Sequence, residues 1–457
     1  MEKPQKLIIF APPILNYRNM KTSSFRLTIA MLTSTLGGYA VTPDQIVRRE
    51  QARPLAFPTA QGWGSHAWGG RGGKVLYVTN LDDSGQGSLR WAVEQTGART
   101  VVFAVSGTIQ LQSPLRINHD SITIAGQTAP GDGICLRDYP LVVNASDVIV
   151  RYLRVRPGDD SGKECDGAGG GKYGQHDVIL DHLSVSWSVD ECLSFYKTHN
   201  LTVQWCLASH SLRKSVHAKG KHGFGGIWGG NHATFHHNLL AHHTSRNPRF
   251  SSVDSTTWVD FRNNVVYNWG YKAAYGGGHH GTINFVDNYY KPGPASTFHK
   301  FVEVAGDGTS RYYVSGNVMT DNAAMTADNR LGVTDKGDSC TVQQPFPSLP
   351  IVSQQPAQAY PLVLQRVGCS LHRDSYDRAV VSQVEAGTGQ IIDSPLEVGG
   401  WPDLRSAQAP LDSDRDGMPD NWERQHGLDP ANPADGAQTA TDTHYTNLEL
   451  YLNSLVE

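Results

Sequence analysis

A loose repeat limits the folds open to this chain. From about residue 115, a short unit of the type apolar-x-apolar returns every 23 to 32 residues. Taking the third residue of each unit as its anchor gives Ile124, Val150, Leu180, Val203, Phe235, Phe261, Phe285 and Val314. A unit this short cannot bury its apolar face alone, so a period of this size implies stacked coils. Short strands with no intervening helical pattern suit a parallel β-helix. Three residues past four successive anchors stand Asn238, Asn264, Asn288 and Asn317. Asparagine tolerates turn conformations, and stacked amides can bond from coil to coil. This column supports the register independently.

Composition agrees with an all-β chain. Glycine supplies 47 of 457 residues, apolar residues make up 39% and charged residues only 18%. That balance favours strands and turns over long helices. The length would allow two or three domains, but elongated β architectures run long as one unit. The formal net charge is −4, and residues 1–40 carry Lys3, Lys6, Arg18, Lys21 and Arg26 against Glu2 alone. The remainder is therefore still more acidic, which argues against a nucleic-acid partner. An anionic partner would need a local cationic cluster or metal ions.

Residues 1–40 read as a signal or processing segment. From Met20 onward, Lys21 and Arg26 precede a modestly apolar run, and Gly38, Tyr39 and Ala40 stand at the usual cleavage positions. A secreted or periplasmic protein follows, without a membrane partner, since no later apolar run is long enough to span a bilayer. Residues 41–57 read as a linker and 58–330 as the β-helix domain. Within the latter, strand 75–79, a short helix opened by Ser88 and strand 100–105 form a small unit that could cap one end. The glycines at 69–73 point to tight backbone contacts. Residues 331–405, with Pro345, Pro347, Pro350, Pro356 and Pro361, read as an irregular tail or linker. Residues 406–457 form a C-terminal calcium-loop segment. None of the six cysteines forms a CxxC pair, which argues against zinc. Cys340 and Cys369 could close a loop.

The register also places chemistry. Ten residues past the anchors Val150, Leu180 and Val203 stand Asp160, Asp190 and Arg213, and eleven past Phe235 stands Arg246. Coils stack at about 4.8 Å, so these four are expected to form one surface stripe. Asp160, Asp166, Asp190 and Glu191 are hard oxygen donors of the kind that bind Ca²⁺. Arg246 and Arg249 flank Pro248, which restricts the backbone between them. Arg213, Lys214 and Lys219 are candidates for a substrate carboxylate or leaving oxygen, with a solvated face as the alternative. Asp181 and His182 read as a structural brace. Near the end, Asp412 to Glu423 fits the D-x-D-x-D-G-x₅-E loop in full. Asp412, Asp414, Asp416, Asp420 and Glu423 would offer side-chain oxygens and Met418 its carbonyl. The distance in sequence from the arginines gives that site a structural role.

With these residues in view, the chain resembles the pectate lyase family, in particular its exported bacterial group. The matching stretches are 56–73, 87–93, 178–182, Ser186 to Glu191, 225–230 and His242 to Phe250. The resemblance implies a right-handed parallel β-helix and Ca²⁺-dependent cleavage of α-1,4-linked polygalacturonate by β-elimination; a monomer is expected. It places Arg246 at the catalytic base and Asp166 and Asp190 among the calcium ligands. The chain departs from the family pattern R-x-P-x-x-R by carrying Ser251 at the last position, with Arg249 two residues earlier. The second acid of the family's D-x-x-x-D pair falls on Ser194, leaving Glu191 or Asp160 to supply a ligand. A β-helical galacturonan hydrolase and a non-catalytic carbohydrate-binding β-helix are the competing readings.

Overall fold

The computed structural model describes residues 45, 47–49 and 53–456, apart from 171–173, 252–256, 278–279, 306–308, 335–339 and 442. The expected signal segment lies outside these residues. The chain winds into a parallel β-helix of about 10 turns. One face is an 11-stranded sheet running from Lys74–Val78 to Thr341–Val342, and a second is a 9-stranded sheet from Gly107–Gln110 to Val318–Met319. The third face consists of a 4-stranded and a 5-stranded sheet.

The anchors read from the sequence pair directly, coil upon coil. Ile124 stands opposite Val150, Val150 opposite Leu180, and so on through Val203, Phe235, Phe261 and Phe285 to Val314. Their side chains form an apolar column inside the coil, buried in all but Val314. Two residues past six of these anchors the backbone turns through the left-handed region, at Tyr152, His182, Trp205, His237, Asn263 and Asp287. Such φ values are uncommon outside glycine. Here ring stacking accompanies them: Tyr152 on His182 at 4.6 Å and Trp205 on His237 at 4.3 Å.

The next residue carries the asparagine ladder. Asn264 Nδ2 donates to Phe235 O at 2.9 Å and to Asn288 Oδ1 at 3.1 Å, while Asn264 Oδ1 accepts from the Asn238 backbone N–H at 3.0 Å. Asn288 and Asn317 repeat the pattern, and Asn329 closes it. The Asp181–His182 pair is the expected brace: Asp181 is fully buried and accepts from His182 at 2.8 Å, Arg151 at 2.7 Å and Gln204 at 2.8 Å.

Strand Lys74–Val78 pairs with Arg99–Phe103, which in turn pairs with Ile122–Ala125. The small unit expected to cap the helix thus supplies the first strands of the long sheet. Helix Leu89–Glu94 buries Leu89, Ala92 and Val93, with Ser88 Oγ accepting from Trp91 N. The glycine-rich opening lies flat on the outside of the same sheet. Gly64 and Gly70 donate to Thr202 and Thr123 hydroxyls at 2.9 Å, and a Cβ on Gly70 would stand 2.0 Å from Arg99 O.

The stretch 331–405 is not irregular throughout. Helices Pro356–Arg366 and Ser375–Ala386 cover the outside of the 9-stranded sheet, packing Val363, Leu364, Val380, Val381 and Val384 near Leu207, Leu239 and Val265. Pro356 occupies the first helical turn, where its missing N–H costs nothing. Beneath them, fully buried Arg156 donates to Asp374 at 2.7 Å and to Asp377 at 2.8 Å. Among the described residues no disulfide joins Cys340 to Cys369, so the expected loop is not closed.

Replacing Asn264 by alanine removes its amide bonds and leaves buried partners on both neighbouring coils unpaired. At about 1–3 kcal/mol for each stranded group, a loss of roughly 3 kcal/mol is expected, measurable as a lowered melting temperature. An unchanged melt would show that the ladder does not carry the stacking.

Candidate active site

The turns leading from the 9-stranded sheet to the third face stack like the strands. Gly167 N–H donates to Glu191 O at 2.9 Å, Cys192 N–H to Phe224 O at 3.0 Å, and Gly225 N–H to Ser245 O at 3.0 Å. This backbone ladder brings Asp166, Asp190, Glu191, Phe224 and Arg246 to one place from four turns of the chain. Arg246 sits at φ 57°, in the left-handed region. Its guanidinium lies 4.2 Å from the Phe224 ring centre and reaches Glu191 Oε1. Glu191 N–H donates to Asp166 Oδ1 at 3.2 Å.

Oxygens of Asp166, Asp190 and Glu191 lie within 4.8 Å of one another. Burial, then the charge of Asp190, pushes the Asp166 carboxyl up to about 7, with Arg246 opposing. Three carboxylates crowded against one arginine offer the hard oxygen donors that a cation of the Ca²⁺ type takes.

Two histidines brace this cluster, and neither was singled out in the sequence. His222 Nε2 lies 2.6 Å from Asp190 Oδ1, and His217 Nε2 lies 3.1 Å from Glu164 Oε1. Their rings stack at 3.7 Å. Backbone N–H of Lys219 donates to His217 Nδ1 at 3.0 Å. That bond leaves the His217 proton on Nε2, facing the carboxylates. Both histidines flank a turn that contains Gly220 at φ 77°, inside the cationic run 213–222.

Several expected members of the stripe stand elsewhere. Asp160 is exposed and paired with Arg137 at 2.5 Å, and Arg137 in turn lies over Trp401. Arg213 forms a two-pronged bridge to Asp393, at 2.9 and 3.2 Å. Lys214 and Lys219 are exposed. The loops after Val155 and Ser209 leave the strand ladder, so counting residues from the anchor fails there. Arg249 begins strand Arg249–Ser251, opposite Ile227 and Tyr275, with its guanidinium 6.0 Å from the Tyr275 ring. Ser194 Oγ accepts from Ile227 N–H.

In the C-terminal loop, oxygens of Asp412, Asp414 and Asp416 gather within 4.8 Å. Asp420 does not join them. Its carboxylate accepts from the Ser413 N–H at 2.7 Å, the Ser413 hydroxyl at 2.9 Å and Arg424 at 3.1 Å. Met418 buries its side chain among Leu448, Tyr451 and Leu452.

Comparison with known proteins agrees with this fold. No family model matches the chain. A probable pectate lyase C from Emericella nidulans is 39% identical over 416 residues, covering 88% of this chain and 93% of that protein. The chain belongs to the pectate lyase family. It is a polysaccharide lyase. A probable pectate lyase C from Aspergillus flavus is 38% identical, covering 88% of this chain and 94% of that protein. Among solved structures, a pectate lyase bound to a hexasaccharide shares the fold at TM-score 0.51 and 14% identity, covering 69% of this chain and 98% of that one. Both relatives named are fungal, although the motifs had pointed to the exported bacterial group.

In metal-free protein, folded Asp166 holds its proton to about pH 7, whereas an unfolded aspartate releases it near about 3.9. The unfolded chain binds fewer protons between those values, so stability falls as pH rises from about 4 to about 7. Thermal melts in chelator should show a shallower pH dependence for Asp166→Asn than for the parent chain; identical slopes would reject the assignment.

Proposed function

We propose that this chain degrades pectate by β-elimination at α-1,4-linked galacturonate, with Ca²⁺ held by Asp166, Asp190 and Glu191 and with Arg246 as the base at C5. The observation that carries the reading is the Arg246 guanidinium reaching across Phe224 into the carboxylate cluster. Bound there, Ca²⁺ would neutralise the substrate carboxylate and make the C5 proton more acidic. Every other role falls to the chain. His222 and His217 hold Asp190 and Glu164 in place. Phe224 supports the guanidinium from one face. Arg249, on the next strand of the same face, is suited to a second uronate carboxylate. Arg246 contacts Glu191, so presenting its Nη1 to C5 requires Glu191 to turn its carboxylate toward the centre of the cluster. Once Arg246 takes the C5 proton, the C5–H electron pair forms the C4–C5 double bond, the C4–O bond breaks, and the departing oxygen takes a proton from solvent water.

A hydrolase would need two carboxyl groups flanking the scissile bond, about 5–9.5 Å apart. Here the acids crowd around one point instead, which favours the lyase. Action on an extracellular polymer also fits the export segment read at residues 1–40.

Polygalacturonate with Ca²⁺ should give a rising ultraviolet absorbance from unsaturated uronide, and excess chelator should remove it. New reducing ends without that absorbance would mean hydrolysis; neither signal would favour a binding protein. Arg246→Ala should lower turnover by roughly 10²–10⁴-fold or more while circular dichroism stays unchanged. Guanidinium is ordinarily protonated throughout the accessible range, so the rate should climb into alkaline pH. An optimum near pH 5 would exclude arginine as the base.

A further inference from the structure

Far along the chain from Arg246, a second set of acids is buried with oxygens that lack donors. Glu423 is 0% exposed, Asp416 4% and Asp435 5%. Oxygens of these three lie within 4.8 Å of one another, and Asp416 also belongs to the group with Asp412 and Asp414. Both Glu423 oxygens, Asp414 Oδ2, Asp416 Oδ2 and Asp435 Oδ1 are buried with no hydrogen-bond partner. The other oxygen of each aspartate is already satisfied: Asp414 by the Asp416 N–H, Asp416 by the Met418 N–H, and Asp435 by the Asp429 N–H. Each residue thus turns one oxygen to the backbone and one inward, and Glu423 turns both inward. Buried carboxylates without partners are among the costliest arrangements in a protein. Arg424, the cation nearest in sequence to Glu423, is engaged with Asp420.

We propose that Asp435 completes a buried calcium site with Asp412, Asp414, Asp416 and Glu423, and that the ion bolts the C-terminal segment to the first coils of the β-helix. Asp435 lies outside the D-x-D-x-D-G-x₅-E loop and takes the place that Asp420 vacates. All the donors are carboxylate oxygens, and Glu423 is free to bind through both, as Ca²⁺ prefers and zinc does not. The mechanical consequence follows from what the acids are tied to. Asn447 Nδ2 donates to Asp435 O at 2.9 Å and Leu448 N–H to Gly436 O at 3.0 Å, fastening this turn to helix Asn447–Ser454. That helix and Met418 pack on Val102 and Ala125, with Val75 and Tyr77 alongside. Arg71 reaches Glu449 at 2.8 Å, and the Tyr77 hydroxyl donates to Asp412. The site is independent of the carboxylates beside Arg246.

The test uses the full chain, stripped with chelator and titrated with terbium or calcium. Terbium emission sensitised by Tyr77 reports this site, and the calcium-dependent rise in melting temperature reports the bolt. Asp435→Asn and Glu423→Gln should each weaken binding by roughly tenfold or more and lose most of that rise. Asp190→Asn should keep both signals. Below its melting transition, Asp435→Asn should turn over polygalacturonate at the parental rate. Unchanged calcium affinity in Asp435→Asn would overturn the assignment, as would a parent chain whose melting temperature ignores calcium. Should Asp435→Asn fail to fold, Glu423→Gln and the parent with and without chelator still decide the matter.

Discussion

Everything in this protein depends on the bonding of one coil to the next. Each internal asparagine of the ladder donates backward to the anchor of the preceding coil and forward to the next amide. Asn238 bonds Val203 O, Asn264 bonds Phe235 O, Asn288 bonds Phe261 O and Asn317 bonds Phe285 O. These groups are buried, so a slipped coil would strand several of them at once. The parallel pairing of anchors above and below gives the same answer from the apolar side. Register is therefore fixed along the 11-stranded sheet, and length variation is pushed into the turns.

Those turns make the candidate active site. Between the 9-stranded sheet and the third face, the backbone ladder through Gly167, Cys192 and Gly225 keeps neighbouring turns in contact even where the strands are short. It delivers Asp166, Asp190, Glu191, Phe224 and Arg246 from different coils to a common centre. The insertion 210–226 adds His217 and His222, which close on Asp190 from outside the ladder. A rigid stack thus supplies the position of the charged groups, and a loop supplies their orientation.

Segments after the last coil finish the outside of the stack. The start of helix Ser375–Ala386 brings Asp374 and Asp377 to Arg156 on the 9-stranded sheet, 218 and 221 residues earlier. Pairs buried this deeply are costly to assemble and costlier to break, which ties the covering helices to one place. The acidic loop after residue 411 takes up the opposite task, lying against the outside of the first coils.

The repeat, its register and the asparagine column were legible because they are local patterns that every coil must satisfy in the same way. The same regularity placed Arg246 on its coil, and the spacing of the acidic loop pointed to Asp412, Asp414 and Asp416, which do gather, but also to Asp420, which bonds Ser413 and Arg424 instead. Stripe counting failed at Asp160 and Arg213 because loops of unequal length intervene and better partners arrive from elsewhere. Arg137 takes Asp160, and Asp393, 180 residues away, takes Arg213. Asp435 and the two histidines had no periodic signal at all. What the sequence determined by itself was the coil and its order, since backbone bonding repeats along the chain. Which charges meet was decided only by the tertiary structure, because an ion pair depends on distance in space and the chain's spacing does not record it.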